Sequence, residues 1–313
     1  MRRPLRVEEH VLRSSDGTEI AYHVLGEGPP VVLANGLGGT YLAWRHQLEY
    51  LSDRYRFITW DYRGLYRSAR PSDPDRFTID DHVDDLQAIL DAEKIDRAAF
   101  VGWSMGVQVN FELYRRRPEL FAALVVLNGT FGRPWESALD LPAMKHVIPR
   151  VLGVARQLHG LASPVMRRAA QWPEVVTWLK RVGMVGETLD EEVFAELAHS
   201  FGDMDLDAYL RTFESLGAHD AETVLDHIEI PTLVICGERD FFTPQHRAEE
   251  MARRIPGAEL LVVPGGTHYV AIEYPELVNL RIEKFFQERG YVGPDARSSS
   301  SRGASPSGGP PPR

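Results

Sequence analysis

The chain opens with two segments in which apolar and polar residues alternate, RVEEHVLRS at residues 6–14 and TEIAYHVL at residues 18–25, separated by the turn-forming Ser15-Asp16-Gly17. Period-two alternation across such a turn predicts an antiparallel hairpin. Six later segments have a different texture. PPVVLAN, RFITW, RAAFVG, AALVVLN, PTLVICG and AELLVVP are short, nearly continuous apolar runs bounded by Gly, Pro or charge, as expected of strands buried on both faces of a parallel sheet. Between them, helical periodicity covers residues 41–51, 79–93, 105–117, 245–254 and 275–288. Strand and helix alternate, which predicts an α/β fold built on a doubly wound, mostly parallel eight-stranded sheet.

The alternation breaks once. From Phe131 to Asp220 no strand-like run occurs, and Trp, Met, Leu and Val recur at helical spacing. The expected organisation is therefore a core made of residues 1–130 and 221–290, a helical cap inserted at 131–220, and a tail at 291–313. The tail is rich in Ser, Gly and Pro without periodicity, which predicts disorder. The apolar residues of the insert include Met144, Val147, Ile148, Val151, Leu158, Met166, Trp172, Trp178, Leu179, Phe194, Phe201, Tyr209 and Phe213; most are expected to pack as core between the insert and the sheet, with a minority facing a ligand.

With 313 residues, 43% of them hydrophobic, the chain can bury a substantial core. Its net charge of −10 is spread among interspersed acidic and basic clusters, which disfavours nucleic acid and anionic membrane as partners. The one cysteine, Cys236, lies in the apolar run PTLVICG and reads as a buried structural thiol, so a disulfide framework is excluded. The first residues are basic but reach Glu8 and Glu9 before any apolar stretch, and no segment offers the ~20 apolar residues of a spanning helix. A cytoplasmic protein without membrane insertion is expected.

The pentapeptide Gly102-Trp103-Ser104-Met105-Gly106 joins the strand-like RAAFV to a helical pattern. Alone, Ser104 is readable as a turn or N-cap residue. In this strand–turn–helix setting, G-x-S-x-G also describes a turn that lifts a serine clear of the sheet as a nucleophile. A serine hydroxyl needs a base, and the base an orienting acid. Asp240 follows the strand PTLVICG within the loop ERDFFTP, with Glu238 as its local competitor. Among the eleven histidines, His268 stands in a Gly-rich loop after the last strand, giving the chain order Ser, Asp, His. Other chemistry fits poorly. NGLGGTY departs from the dinucleotide fingerprint at Tyr41 and no Walker lysine is present, while the acidic run DDHVDD at 80–85 reads as the first turns of a helix rather than a metal site.

These residues make the chain resemble the α/β-hydrolase fold superfamily over roughly residues 5–288. The resemblance implies Ser104 as nucleophile, Asp240 as orienting acid and His268 as general base. It also implies an oxyanion hole formed by the backbone amides of Leu37, in ANGLGGT, and Met105. Asp61 and Arg63, in DYRGLYRSARP, would be structural organisers. Asn35 stands where the family has histidine, and Tyr66 where it commonly has glycine. Asn128 occupies the family's alternative position for the acid. The implied activity is that of a serine hydrolase without cofactor or metal, cleaving an ester or related acyl bond of a small, partly apolar molecule. Trp103, Phe241 and Tyr269, beside the candidate catalytic residues, are candidate pocket walls. Thioester, lactone and C–C hydrolysis, acyl transfer, perhydrolysis and a hydrolase-like ligand receptor are compatible with the same residues.

Overall fold

A computed structural model describes residues 5–134, 144–172 and 174–292. Its eight strands are β1 (Glu8–Arg13), β2 (Glu19–Leu25), β3 (Pro30–Ala34), β4 (Arg56–Trp60), β5 (Ala98–Trp103), β6 (Phe121–Leu127), β7 (Thr232–Gly237) and β8 (Glu259–Val263). They form one sheet in the order β1-β2-β4-β3-β5-β6-β7-β8. β2 runs antiparallel to both neighbours, and every other pair is parallel. β1 alternates exposed and half-buried residues at the sheet edge, whereas β7 is buried throughout. That contrast is the one between the alternating and the continuous apolar runs of the sequence.

Five helices flank the sheet: α1 (Arg45–Leu51), α2 (Ile79–Ala92) and α3 (Met105–Arg116), then, beyond an intervening helical stretch, α9 (Gln245–Arg254) and α11 (Pro275–Glu288). Successive residues of β3 enter opposite cores. Val32 and Ala34 pack with α2, α3 and α9, and Val31 and Leu33 pack with α1 and α11. The order in which strands are added reverses between β3 and β5: β4 lies on one side of β3, and β5, paired with β3 in parallel through Ala34 and Gly102, on the other. The crevice at the carboxyl ends of these two strands is where ligands of open α/β sheets bind, and the loops after β3 and β5 carry ANGLGGT and GWSMG.

The intervening stretch holds five described helices, α4 (Met144–Gln157), α5 (His159–Ala170), α6 (Val175–Arg181), α7 (Glu191–Asp203) and α8 (Leu206–Ala218). The short α10 (Val270–Glu273) follows β8. α7 and α8 begin at Asp190 and Asp205, whose carboxylates accept amides of the first turns. Val193, Phe194 and Leu197 of α7 join the core beside α1 and α11, and Ala208 and Leu216 of α8 join the opposite one. The expectation that most apolar residues of this stretch are core fails for α4, α5 and α6. Val147, Val151, Leu158, Trp172 and Trp178 are exposed. α4 meets the rest of the chain through Ile148, Leu152 and Ala155 against α8, α5 lies against Gly202 of α7 through Ala170, and α6 buries Val176 in the core beside α1 and α11; apolar spacing alone does not tell these inner faces from the outer ones.

The tail begins later than its composition suggests. Tyr291 is packed at the foot of the sheet, its hydroxyl accepting the Ala99 amide (3.2 Å) and donating to the Pro30 carbonyl, while its carbonyl accepts the Tyr55 hydroxyl at 2.9 Å. Residues 293–313, the remainder of the expected disordered tail, lie outside the described residues. Among the described residues, no helix is long and apolar enough to cross a membrane.

Candidate active site

Two close backbone approaches create the turn that carries Ser104. A β-carbon on Gly106 would lie 2.1 Å from the Ala34 carbonyl oxygen, and one on Gly102 would lie 2.8 Å from the backbone of Gly106. Only glycine lets α3 start this close to β3 and β5. Between them Ser104 adopts φ 54°, ψ −116°, with its amide donating to the Leu127 carbonyl at 3.1 Å. A non-glycine residue in such a conformation costs on the order of 1–3 kcal/mol, and such strain concentrates at functional sites. Ser104 also makes no side-chain cap on α3, so its hydroxyl is not spent as an N-cap.

Asp240 and His268 meet as a hydrogen-bonded pair, Nδ1 to Oδ2, at 2.9 Å. Asp240 is buried and fully occupied. Oδ1 accepts the amides of Phe242 and Thr243, both at 2.9 Å, and Oδ2 accepts the Thr243 hydroxyl at 2.6 Å and the Asn128 side-chain amide at 2.7 Å. Burial by itself pushes this carboxyl up. The His268 charge and hydrogen bond and the Thr243 hydrogen bonds outweigh it, so the group is held below the usual carboxylate range. Glu238, the alternative acid in sequence, instead accepts the Gly265 amide at 2.8 Å on the surface. The loop presenting His268 is fixed by buried Glu273, whose carboxylate accepts the Thr267 amide at 2.7 Å and the Thr267 hydroxyl at 2.5 Å.

Ser104 and His268 face one cavity of about 310 Å³. No hydrogen bond joins Ser104 Oγ to His268 among the described residues; such contacts are often loose in unliganded sites and close when substrate arrives. Leu37 and Met105 line the same cavity. Met105 is the first residue of α3, so its amide has no intrahelical acceptor. Neither amide has a partner among the described residues. Two free N–H groups beside a serine provide what a developing oxyanion requires.

The departures from the family pattern have local explanations. Asn35 is buried, donates to the Trp60 carbonyl at 2.8 Å and accepts the Trp44 indole at 2.7 Å, while its carbonyl accepts the Tyr62 hydroxyl at 2.6 Å. It pins the loop through three partners. Tyr66 sits at φ 51°, the left-handed region that favours glycine, and its hydroxyl donates to the Gly38 carbonyl. A side chain is thus accepted at a glycine position in exchange for a second brace on the loop. Arg63 is buried and forks onto Asp85 at 2.9 and 2.6 Å. Asp81 closes a capping box with Thr78, and His82 is buried against Tyr62, so the acidic run at 80–85 is structurally committed.

The three candidate wall residues all line the cavity. Trp103 is also a brace. Its indole donates to the His268 carbonyl at 3.0 Å, and its ring covers Gly36 so closely that a β-carbon there would lie 2.8 Å away. Phe241 is exposed at the rim, and Tyr269 packs edge-on to His268 with centroids 5.7 Å apart. Sequence reasoning missed Gln108, Thr130, Phe242 and Thr243 from the core and Leu216 from α8; Ile148, Tyr209 and Phe213 are the members of the insert's apolar set that turn out to face the cavity. Tyr209 is the one phenol among them, its hydroxyl pushed up to about 12 by burial. Cys236 lies beneath the site with its thiol pushed up to about 12, first by burial and then by the Asp240 charge, so it stays protonated and inert.

The family model for the alpha/beta hydrolase fold matches residues 29–275, and the chain belongs to that family. A protein of Yersinia enterocolitica named "Putative carbamate hydrolase RutD" is 30% identical over 267 residues, 82% of this chain and 88% of the relative. Among solved structures, a hydrolase from Pseudomonas aeruginosa superposes with a TM-score of 0.72 at 26% identity, covering 89% of this chain and 98% of that one. The enol-lactonase from Burkholderia xenovorans gives 0.70 at 25% identity, covering 89% and 100%. Family and relatives together support a hydrolase.

Proposed function

We propose that the protein is a serine hydrolase that cleaves an ester or related acyl bond of a small, partly apolar molecule through an acyl-enzyme. The observation that carries this reading is the buried Asp240 holding His268 Nδ1 at 2.9 Å on the wall of the cavity that contains Ser104 and the two unbonded amides. With Nδ1 committed as donor to the carboxylate, Nε2 is left as the acceptor for the serine proton. Ser104 Oγ attacks the substrate carbonyl as its proton moves to His268, and the carbonyl oxygen becomes an anion held by the Leu37 and Met105 amides. Collapse of the tetrahedral adduct expels the alcohol, which takes the proton from His268. Water, deprotonated in turn by His268, releases the acid and restores Ser104. The cycle uses only this chain's own groups.

The helices α4–α8 act in this reading as a cap whose Ile148, Phe213 and Leu216 roof the acyl site. Apolar walls around a 310 Å³ space favour an acyl chain over a small polar carbamate, which would leave them unfilled. The relatives' name makes carbamate the second reading, since its carbonyl is open to the same attack. The test is a kcat/KM series of 4-nitrophenyl acetate, butyrate and hexanoate against a matched 4-nitrophenyl carbamate. Butyrate or hexanoate is expected to lead, each buried methylene adding up to about 0.8 kcal/mol until the site is full. A preference for acetate or for the carbamate would overturn the acyl-chain assignment.

A further inference from the structure

The outer face of α4 and α5 carries Val147, Val151, Val154, Leu158, Leu161 and Val165, spaced alternately four and three residues apart and each between 44 and 75% exposed. Each helix thus presents an apolar stripe to solvent, and the two stripes meet at Leu158, where α4 gives way to α5. At its far end Trp172 and, on α6, Trp178 are each 49% exposed. Charge is segregated in the same place. Residues 144–172 contain five Lys and Arg and no Asp or Glu, in a chain whose net charge is −10. Arg156 and Arg167 turn toward the protein's own acids, Glu214 at 2.7 Å and Asp203 at 3.1 Å. Arg168, three residues after Val165 on the stripe side, is exposed, as is Arg181 at the end of α6.

We propose that this helical pair is a docking surface for an anionic phospholipid bilayer. An apolar stripe edged by arginines, with tryptophans at its end, is the composition of helices that lie in a membrane interface. Amphipathic indole rings favour that boundary. Charge selects this occupant over a second copy of the chain, because an isologous contact would set two copies of segment 144–172, each with five basic and no acidic residues, against each other, Glu214 and Asp203 beside them being already paired to Arg156 and Arg167. The whole-chain charge that argues against anionic membranes averages over a local reversal of sign. The same helix that presents Val147 and Val151 outward sends Ile148 into the cavity, so docking would place the site beside lipid. This last step, and only this one, rests on the serine-hydrolase reading.

Flotation of the full chain with vesicles of phosphatidylcholine, alone or with about one-third phosphatidylglycerol, tests the proposal. Binding is expected with the anionic vesicles, with loss in ~0.5 M salt as screening removes the attraction. The double variant Leu161→Asp/Val165→Asp is expected to bind at least about tenfold more weakly. Both positions are exposed, so its melting temperature and its hydrolysis of a soluble short-chain ester are expected to stay at the parent values. Equal binding to neutral and anionic vesicles, no binding at low salt, or a variant that floats like the parent would overturn the proposal. A parent dimer in sedimentation velocity that the double variant dissolves would overturn it in favour of self-association. Ser104→Ala is expected to float like the parent, so failure of the hydrolase reading leaves the docking result intact.

Discussion

The two walls of the cavity are held by different forces. On the strand-end side, Gly102 and Gly106 allow backbone approaches no other residue fits, Asn35 ties the loop after β3 to Trp60 and Trp44, and Asp240 accepts hydrogen bonds from Asn128, Phe242, Thr243 and His268. On the helical side, Ile148 and Phe213 are placed by apolar packing of α4 on α8, with the opposite face of α4 exposed. Directional bonds and close backbone contacts fix atoms to tenths of an ångström, whereas one-sided packing fixes a surface. The first suits chemistry, which a displacement of about 1 Å can slow 10²-fold. The second suits the part proposed for this wall, which is to accept differing acyl groups.

Substitutions on the two sides should therefore differ in size and in kind. The largest effect is expected from His268→Ala, which removes the base and should lower kcat on the order of 10⁶-fold. Asp240→Asn leaves a folded site with the wrong imidazole tautomer and should cost about 10⁴-fold, with Glu238→Gln near parental activity. A reversed order between these two would assign the acid to Glu238. Asp240 also gives stability a pH dependence. Its folded carboxyl binds a proton less readily than the unfolded one, so its contribution is complete above about pH 5 and is lost as pH falls through the ordinary carboxylate value near 3.9 and below. Denaturant unfolding from pH 6 to pH 3 should show that loss in the parent and a shallower slope in Asp240→Asn.

Tyr66→Phe keeps the left-handed backbone but removes the brace on Gly38. One lost hydrogen bond, about 1 kcal/mol, should appear as a several-fold drop in kcat with little change in KM, because the loop serves the oxyanion. On the helical side, Phe213→Ala is expected to flatten the acyl-chain series and leave acetate turnover within a few-fold of the parent, since only buried chain length loses its partner. A collapse of acetate turnover in that variant would show that α8 positions the chemistry as well.

The same division explains what the sequence discloses. G-x-S-x-G, the glycines of ANGLGGT and the strand-end placement of Asp240 and His268 are legible because each is a local backbone demand that only certain residues meet. Tyr66 shows the limit. It occupies a glycine conformation with a side chain because Gly38, 28 residues away, offers its hydroxyl an acceptor. Gln108 and Thr130 are core residues that reach the cavity only once α3 and the end of β6 are in place. In α4, neighbouring Val147 and Ile148 are chemically alike, yet one is exposed and the other lines the cavity. Which is which depends on where α8 lies. Asn128 is visible in sequence as a non-acid at an acid position; its service as a donor to Asp240 emerges from a separation of 112 residues closed by the sheet.

The central claim is that Ser104 is the nucleophile, and covalent trapping tests it most directly. Incubation with a fluorophosphonate, followed by intact mass and peptide mapping, should give one phosphonyl adduct per chain, on Ser104, formed in step with loss of esterase activity. Ser104→Ala should remain folded, form no adduct and turn over no ester. An adduct mapped to another residue, or labelling of Ser104→Ala at the parent rate, would contradict it.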